Sequence, residues 1–344
     1  MIFIIEWEAI YMSEIRQNMA TKEWVIIASE RSKRPNQFSS SKRRLTSDRP
    51  EWDSDCPFCP GNEEPELEIL RVPREGDWQI RIVHNKYPAL QSKGDRIRTF
   101  DGVHRRITGV GYHEVLIESP LHNTCPALET PEEVAMMMKI FQERGHTIAA
   151  DDRIEHIIYF KNHGQMAGTS LVHPHTQLVA LPIVPNDIRS RAEEARRYFD
   201  DTGICVHCAM LKDELSHELR IVVQGKFFVG IIPYAAFSPF HIWLIPREHR
   251  SNFLNVPDKE LDDLGLVIHQ LLRKLYIGLR DPDYNYVIRS AALDSREQEY
   301  LHWYVTIIPR VTRTAGFEVG SGMFINSSLP EESAAFLRAV ETSK

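Results

Sequence analysis

Long apolar runs are missing from this sequence. No stretch of about 18 apolar residues occurs in its 344, so no membrane-spanning helix is expected. The first residues, Met1 to Tyr11, are apolar but carry Glu6 and Glu8 and no basic leading segment, unlike a secretory signal. Met12 is a second candidate start. Excess positive charge is missing too. A net charge of −7 offers no general basic face to a nucleic acid, although Arg31, Lys33, Arg34, Lys42, Arg43 and Arg44 form a local basic cluster. Cysteine is scarce. Five in the whole chain are too few for a secreted disulfide scaffold. Four of them form two Cys-x-x-Cys pairs, which in a reducing compartment read as metal ligands or redox centres. The expected compartment is the cytoplasm. Cys125 is left over and reads as a small buried hydrophobe. With 42% hydrophobic and 26% charged residues, the chain reads as globular and long enough for two domains.

What is present is a ligand pattern that occurs twice. Cys56-Pro-Phe-Cys59 is followed by His122 and His173, and Cys205-Val-His-Cys208 by His249 and His302. The two histidines are 51 residues apart in the first set and 53 in the second. Two cysteines and two histidines make a common closed set for tetrahedral zinc, so two zinc ions per chain are expected. His207 and His241 are rival ligands in the second set. The repeated order implies a duplicated unit, divided into halves 12–200 and 201–344.

The predicted elements repeat as well. Strands are expected at 23–28, 78–84, 111–118, 154–160 and 177–181 in the first half. In the second they are expected at 219–224, 227–232, 240–245, 284–289 and 303–308. Each half holds one long helix. The first starts at Thr130-Pro131-Glu-Glu and runs to about Ala149; the second spans Asp258 to Leu279. A charged helix from Ile188 to Phe199 leads to the joint, and Glu331–Val340 closes the chain. The fold class is therefore α+β, mostly antiparallel sheet with flanking helices.

Only the first half adds chemistry. Asn162-His-Gly-Gln-Met-Ala-Gly168-Thr169-Ser170 leads into His173-Pro-His175-Thr-Gln177. Glycines and hydroxyls let a backbone approach a phosphate. On a strand His173, His175 and Gln177 share a face. One imidazole can then bind metal while the next attacks phosphorus, a role open to histidine. The second half has Tyr304 two residues after His302, so it reads as degenerate. His163 is a further candidate for substrate contact.

These residues resemble the galactose-1-phosphate uridylyltransferase family, within the histidine-triad superfamily. The resemblance rests on Cys56-Pro-Phe-Cys59, Asn85, Ser-Pro-Leu-His122, Phe160-Lys-Asn162, Gly168-Thr-Ser170 and His173-Pro-His175-Thr-Gln177. It implies that His175 becomes nucleotidylated and that Gln177 contacts the phosphate. It implies zinc on Cys56, Cys59, His122 and His173. It places Phe58 and Asn85 near base and ribose, and Arg31 and Arg34 near substrate phosphate, often from a partner subunit. The implied partners are a nucleotide sugar, a sugar 1-phosphate and a second copy of the chain. The implied reaction is UDP-glucose–hexose-1-phosphate uridylyl transfer.

Some features depart from that pattern. Thr176 stands where many bacterial members have glycine. Cys205, Cys208, His249 and His302 replace a set of one glutamate and three histidines. Ser321-Gly322 replaces a Tyr-Glu pair that touches the sugar. The second metal set and this C-terminal stretch look closer to the plant ADP-glucose phosphorylase branch, although Pro174 is serine there. The alternatives are therefore adenylyl transfer to phosphate, a histidine-triad hydrolase, or a zinc-stabilised nucleotide-binding module.

Overall fold

The computed structural model describes residues 13–28, 38 and 44–342. In chain order, β1 (Glu14–Gln17) and β2 (Trp24–Ile27) precede β3 (Glu68–Val72), β4 (Ile80–His84), β5 (Arg98–Asp101), β6 (His104–Ile107) and β7 (Tyr112–Ile117). Then come α1 (Pro131–Ala149), β8 (His156–His163), β9 (His175–Leu181), α2 (Asn186–Thr202) and α3 (Val206–His217). The remainder is β10 (Ile221–Gln224), β11 (Phe228–Ile231), β12 (Ile242–Pro246), α4 (Asp258–Leu279), β13 (Tyr284–Arg289), β14 (Tyr304–Pro309), α5 (Gly316–Ser321), β15 (Phe324–Asn326) and α6 (Pro330–Ala339).

Ten strands form one sheet in the order β10-β11-β12-β14-β13-β8-β9-β7-β4-β3. Every pairing within it is antiparallel. Read outward from the central β8–β13 pair, the two wings have the same connectivity. The α+β expectation holds, and the sheet runs unbroken between the wings. Position 200, the expected end of the first half, lies in the last turns of α2.

Alternation sorts the side chains onto two faces. Leu178 and Ala180 of β9, Tyr159 of β8, and Val305 and Ile307 of β14 join the large core beneath α1 and α4. The sheet covers one side of that core and the two long helices the other. Thr130 caps α1 with a reciprocal Glu133 capping box and Pro131 in the first turn, so four residues set where the helix starts. The two helices touch at Gly265, where a Cβ would lie 2.4 Å from the backbone nitrogen of Ala135. Glycine is needed there for close approach, not for its φ.

The sequence missed α3. Its twelve residues, Val206–His217, carry only a weak apolar stripe, and the Cys-x-x-Cys pair draws attention to chemistry rather than to a helix. The β5–β6 hairpin was also unmarked, because its strands are largely exposed and lack alternation. Among the described residues no helix is long and apolar enough to cross a membrane.

Replacing Gly265 with valine should force α1 and α4 apart. The expected cost is about 2 kcal/mol of stability, in the range for overpacking a close-fitted contact. It should appear as a lower urea midpoint with unchanged metal content; an unchanged midpoint would show that the crossing tolerates added volume.

Candidate active site

The helix-free face of β9 carries the candidate chemistry. Gln177 lies opposite Val115 of β7 and Phe160 of β8. His175 opens the strand, opposite Ile117. His173 precedes the strand yet stays on the same side, with Phe58 edge-on to both imidazoles at 6.0 and 5.5 Å. A cavity of about 390 Å³ is lined by Phe58, Asn85, Ser170, His175 and Gln177, together with Arg81 and Lys86.

The His175 imidazole is set by its own backbone. Its Nδ1 lies 2.8 Å from the carbonyl oxygen of His173. That carbonyl can only accept, so Nδ1 carries the proton and Nε2 keeps its lone pair. Burial lowers the His175 pKa, which favours the neutral ring.

His113, which the sequence did not mark as functional, orients Gln177. Its Nδ1 accepts from the Ala89 amide at 3.1 Å. Nε2 therefore bears the proton and donates to Gln177 Oε1 at 2.9 Å, and Asn85 Nδ2, 3.1 Å from the same nitrogen, is a contact and not a hydrogen bond. With its oxygen engaged, the Gln177 amide has N–H groups left to offer.

Behind this face lies a buried ion pair. Lys161 Nζ sits 2.8 and 2.7 Å from the two Glu118 oxygens and donates to the His175 carbonyl at 3.2 Å. Both side chains are 1% exposed or less. Thr176 Oγ1 donates to Glu118 and lies 2.9 Å from the Tyr286 hydroxyl. A neutral hydroxyl and a charged amine thus pin β9 from below.

The expected phosphate loop follows β8. Gly164 has φ +82°, and a Cβ there would meet Asp283 Oδ1 at 1.9 Å. Asp283 instead accepts from the Met166 amide at 2.5 Å. Gly168 adopts φ +89°. Thr169 Oγ1 donates to the Leu171 carbonyl, and Ser170 reaches the cavity. Asn162 accepts from Asn285 across the β8–β13 seam at 2.7 Å. His163 does not face the cavity. It is buried, 2.8 Å from Asp281 and stacked on Tyr284, which belongs to the core on the helix side. It packs on the helix side of the sheet, because alternation sends it to the opposite face from Asn162. Arg31 and Arg34 lie outside the described residues.

Both predicted ligand sets converge. In each, one donor atom per residue lies within 4.8 Å of all the others. Tetrahedral bond lengths of about 2.3 Å to sulfur and 2.0 Å to nitrogen put neighbouring S and N donors about 3.5 Å apart. Cys59 Sγ is 3.5 Å from His122 Nδ1 and 3.6 Å from His173 Nδ1. Cys208 Sγ is 3.3 Å from His249 Nδ1 and 3.4 Å from His302 Nδ1. The second nitrogens of His173 and His302 point at the carbonyls of Ser119 and Pro246, which directs the Nδ1 lone pairs inward. Burial raises the Cys56 thiol to about 11, so a thiolate there calls for a cation. The residues fit a metal ion at both places. The rivals His207 and His241 stay outside the second cluster.

Residues 3–185 match the family described as galactose-1-phosphate uridyl transferase, N-terminal domain. The chain belongs to this family. It is 37% identical over 333 residues to an ADP-glucose phosphorylase of Arabidopsis thaliana, covering 95% of this chain and 93% of that protein. It is 27% identical over 340 residues to a galactose-1-phosphate uridylyltransferase of Thermotoga maritima, covering 96% and 99%. The crystal structure of an Arabidopsis thaliana ADP-glucose phosphorylase with bound ADP-glucose superposes with a TM-score of 0.81 at 33% identity, covering 96% of this chain and all of that one. The chain is thus a nucleotidyltransferase or phosphorylase of this family.

Removing a ligand from the buried set should release its metal. Cys59→Ser is expected to lose one metal ion per chain by elemental analysis and to lower Tm by roughly 5 °C or more. Full metal content in that variant would count against the cluster.

Proposed function

We propose that this protein transfers a nucleotidyl group through a covalent intermediate on His175. The observation that carries the reading is the orientation of that imidazole, with Nδ1–H tied to the His173 carbonyl and Nε2 left unprotonated beside a cavity that also holds Gln177 and Ser170. Nε2 attacks the α-phosphorus of a nucleotide sugar. The bond from phosphorus to the bridging oxygen breaks, and sugar 1-phosphate leaves with that electron pair. An anionic oxygen of the acceptor then attacks the same phosphorus, the P–N bond breaks, and His175 is restored.

Each neighbour has a part in this scheme. Gln177, turned by His113, donates to a phosphoryl oxygen as charge shifts. A neutral amide there offers water no base, which favours transfer over hydrolysis. Thr169 and Ser170 shape the phosphate loop, with Gly168 as its left-handed residue. Asn162 stands beside the reacting strand. Phe58 and Asn85 flank the nucleoside, and Arg31 and Arg34 supply charge to the phosphates. Zinc is the proposed ion at both clusters, two per chain; when bound it would hold His173 and so steady the carbonyl that orients His175. The working unit is proposed to be a cytoplasmic homodimer.

For the donor we favour ADP-glucose, with inorganic phosphate as acceptor. The 37% identity to an ADP-glucose phosphorylase over nearly the full chain supports this. So does Ser321-Gly322 in place of a Tyr-Glu pair. The sequence resemblance by itself implies UDP-glucose and a hexose 1-phosphate. The relatives named uridylyltransferases, such as the one 27% identical, keep that as the second reading.

Intact-protein mass after separate incubation with ADP-glucose and UDP-glucose tests both. An adenylyl adduct should form on the parent and not on His175→Gly. A uridylyl adduct alone would select the second reading, and no adduct with either would sink the covalent mechanism. His113→Leu should still form the adduct but turn over at least about tenfold more slowly, a loss of about 1.4 kcal/mol in the transition state. An unchanged kcat would remove His113 from the mechanism.

A further inference from the structure

The second wing contains a cavity of its own, about 280 Å³, on the same face of the sheet. Its position follows the repeat. Tyr304 stands two residues past His302, as His175 stands past His173. Thr306 takes the place of Gln177 and bonds His241 Nε2 at 2.7 Å, as Gln177 bonds His113. His207 lies between Cys205 and Cys208, where Phe58 lies between Cys56 and Cys59. Arg289 pairs with Tyr304 on the neighbouring strand. In the catalytic wing the register Phe160↔Gln177 puts Asn162 in that place. The repeat has thus exchanged a neutral amide for a guanidinium and lost the nucleophile.

The lining is built for an anion with an organic body. Arg189, Arg191 and Arg289 reach the cavity from α2 and β13, against the acids Asp294 and Glu155. Glu155 is already held by Arg96 and Arg98 at 2.9 and 3.1 Å. Asp187 pairs with both Arg191 and Arg289 but, among the described residues, leaves the buried Arg289 Nε without a hydrogen-bond partner. His207 is 7% exposed and lies against the Cys205 thiol, and among the described residues neither ring nitrogen has a nitrogen or oxygen hydrogen-bond partner. Leaving a buried donor or acceptor unmade is unfavourable, so this pair of nitrogens calls for a ligand group that can both accept and donate. Guanidinium with a hydroxyl-seeking imidazole suits a phosphate ester. Ala192, Ala195 and Leu301 form an apolar wall for the rest of it.

We propose that this cavity is a second, non-catalytic binding site for a phosphorylated small molecule. No covalent step occurs there, because a tyrosine engaged by Arg191 at 3.2 Å stands where the nucleophile would be. The proposal does not depend on which nucleotide sugar the first site uses.

Equilibrium dialysis of the metal-loaded protein with radiolabelled glucose 1-phosphate, and separately with radiolabelled orthophosphate, tests it. The expected result is two molecules of ester per chain in the parent. Arg289→Gln and His207→Phe should each weaken one of the two by at least tenfold while leaving metal content and kcat of nucleotidyl transfer at parental values. Orthophosphate filling the second site as tightly as the ester would support the site and name the free anion as its occupant. Ester stoichiometry and affinity unchanged in both variants, whatever number the parent binds, would overturn it.

Discussion

The site depends on the register of β9. That strand runs between β7 and β8, and its period of two decides which residues meet the cavity and which meet the core. A slip of one residue would turn His175 and Gln177 toward the helix-side core and Thr176 and Leu178 toward the cavity. The Lys161–Glu118 pair opposes such a slip. Lys161 belongs to β8, Glu118 directly follows β7, and both hold groups of β9 lying between them. A buried ion pair is a poor source of net stability, but losing one partner leaves an uncompensated charge. That asymmetry suits it to fixing register. The same pair anchors the carbonyl of His175, and so ties the proposed nucleophile to the buried centre of the sheet.

Hydrogen-bond polarity then does for the side chains what register does for the backbone. A carbonyl fixes the tautomer of His175, and a backbone amide fixes that of His113. The proton on His113 in turn fixes the amide of Gln177. Three side chains are oriented by two backbone groups, which do not titrate. His173 and His302 of the two candidate metal clusters follow the same logic, with carbonyls holding the nitrogen that faces away from the cluster.

Duplication gives the fold two copies of one frame with different contents. Both wings keep the ligand set, the long helix and a histidine that bonds the side chain two residues past the Tyr304 or His175 position. They differ in exposure. The first ligand set is fully buried, whereas Cys208 is partly exposed and His249 exposed in the second. They differ also beyond the ligands. Phe58 faces one cavity and His207 the other. An aromatic hydrocarbon surface suits a nucleobase, and an unpaired imidazole suits hydrogen bonding.

Much of this was legible from local chemistry. Cys-x-x-Cys spacing, the repeated His intervals, the Thr130-Pro131 helix start and the alternation around β4 are short-range signals, and they named the residues of both cysteine–histidine clusters and most central strands. The sequence also determined that His173, His175 and Gln177 share a side, because a strand has period two. Tertiary structure decided the rest. It turned His163 away from the cavity, since parity along β8 counts from a register that only the neighbouring strands define. It excluded His207 and His241 from the second cluster, because ligand choice is a matter of angstroms. It brought His113 to Gln177 across 64 positions, and Lys161 to Glu118 across 43. Such pairs leave no local pattern, since their partners are neighbours only once the strands have paired.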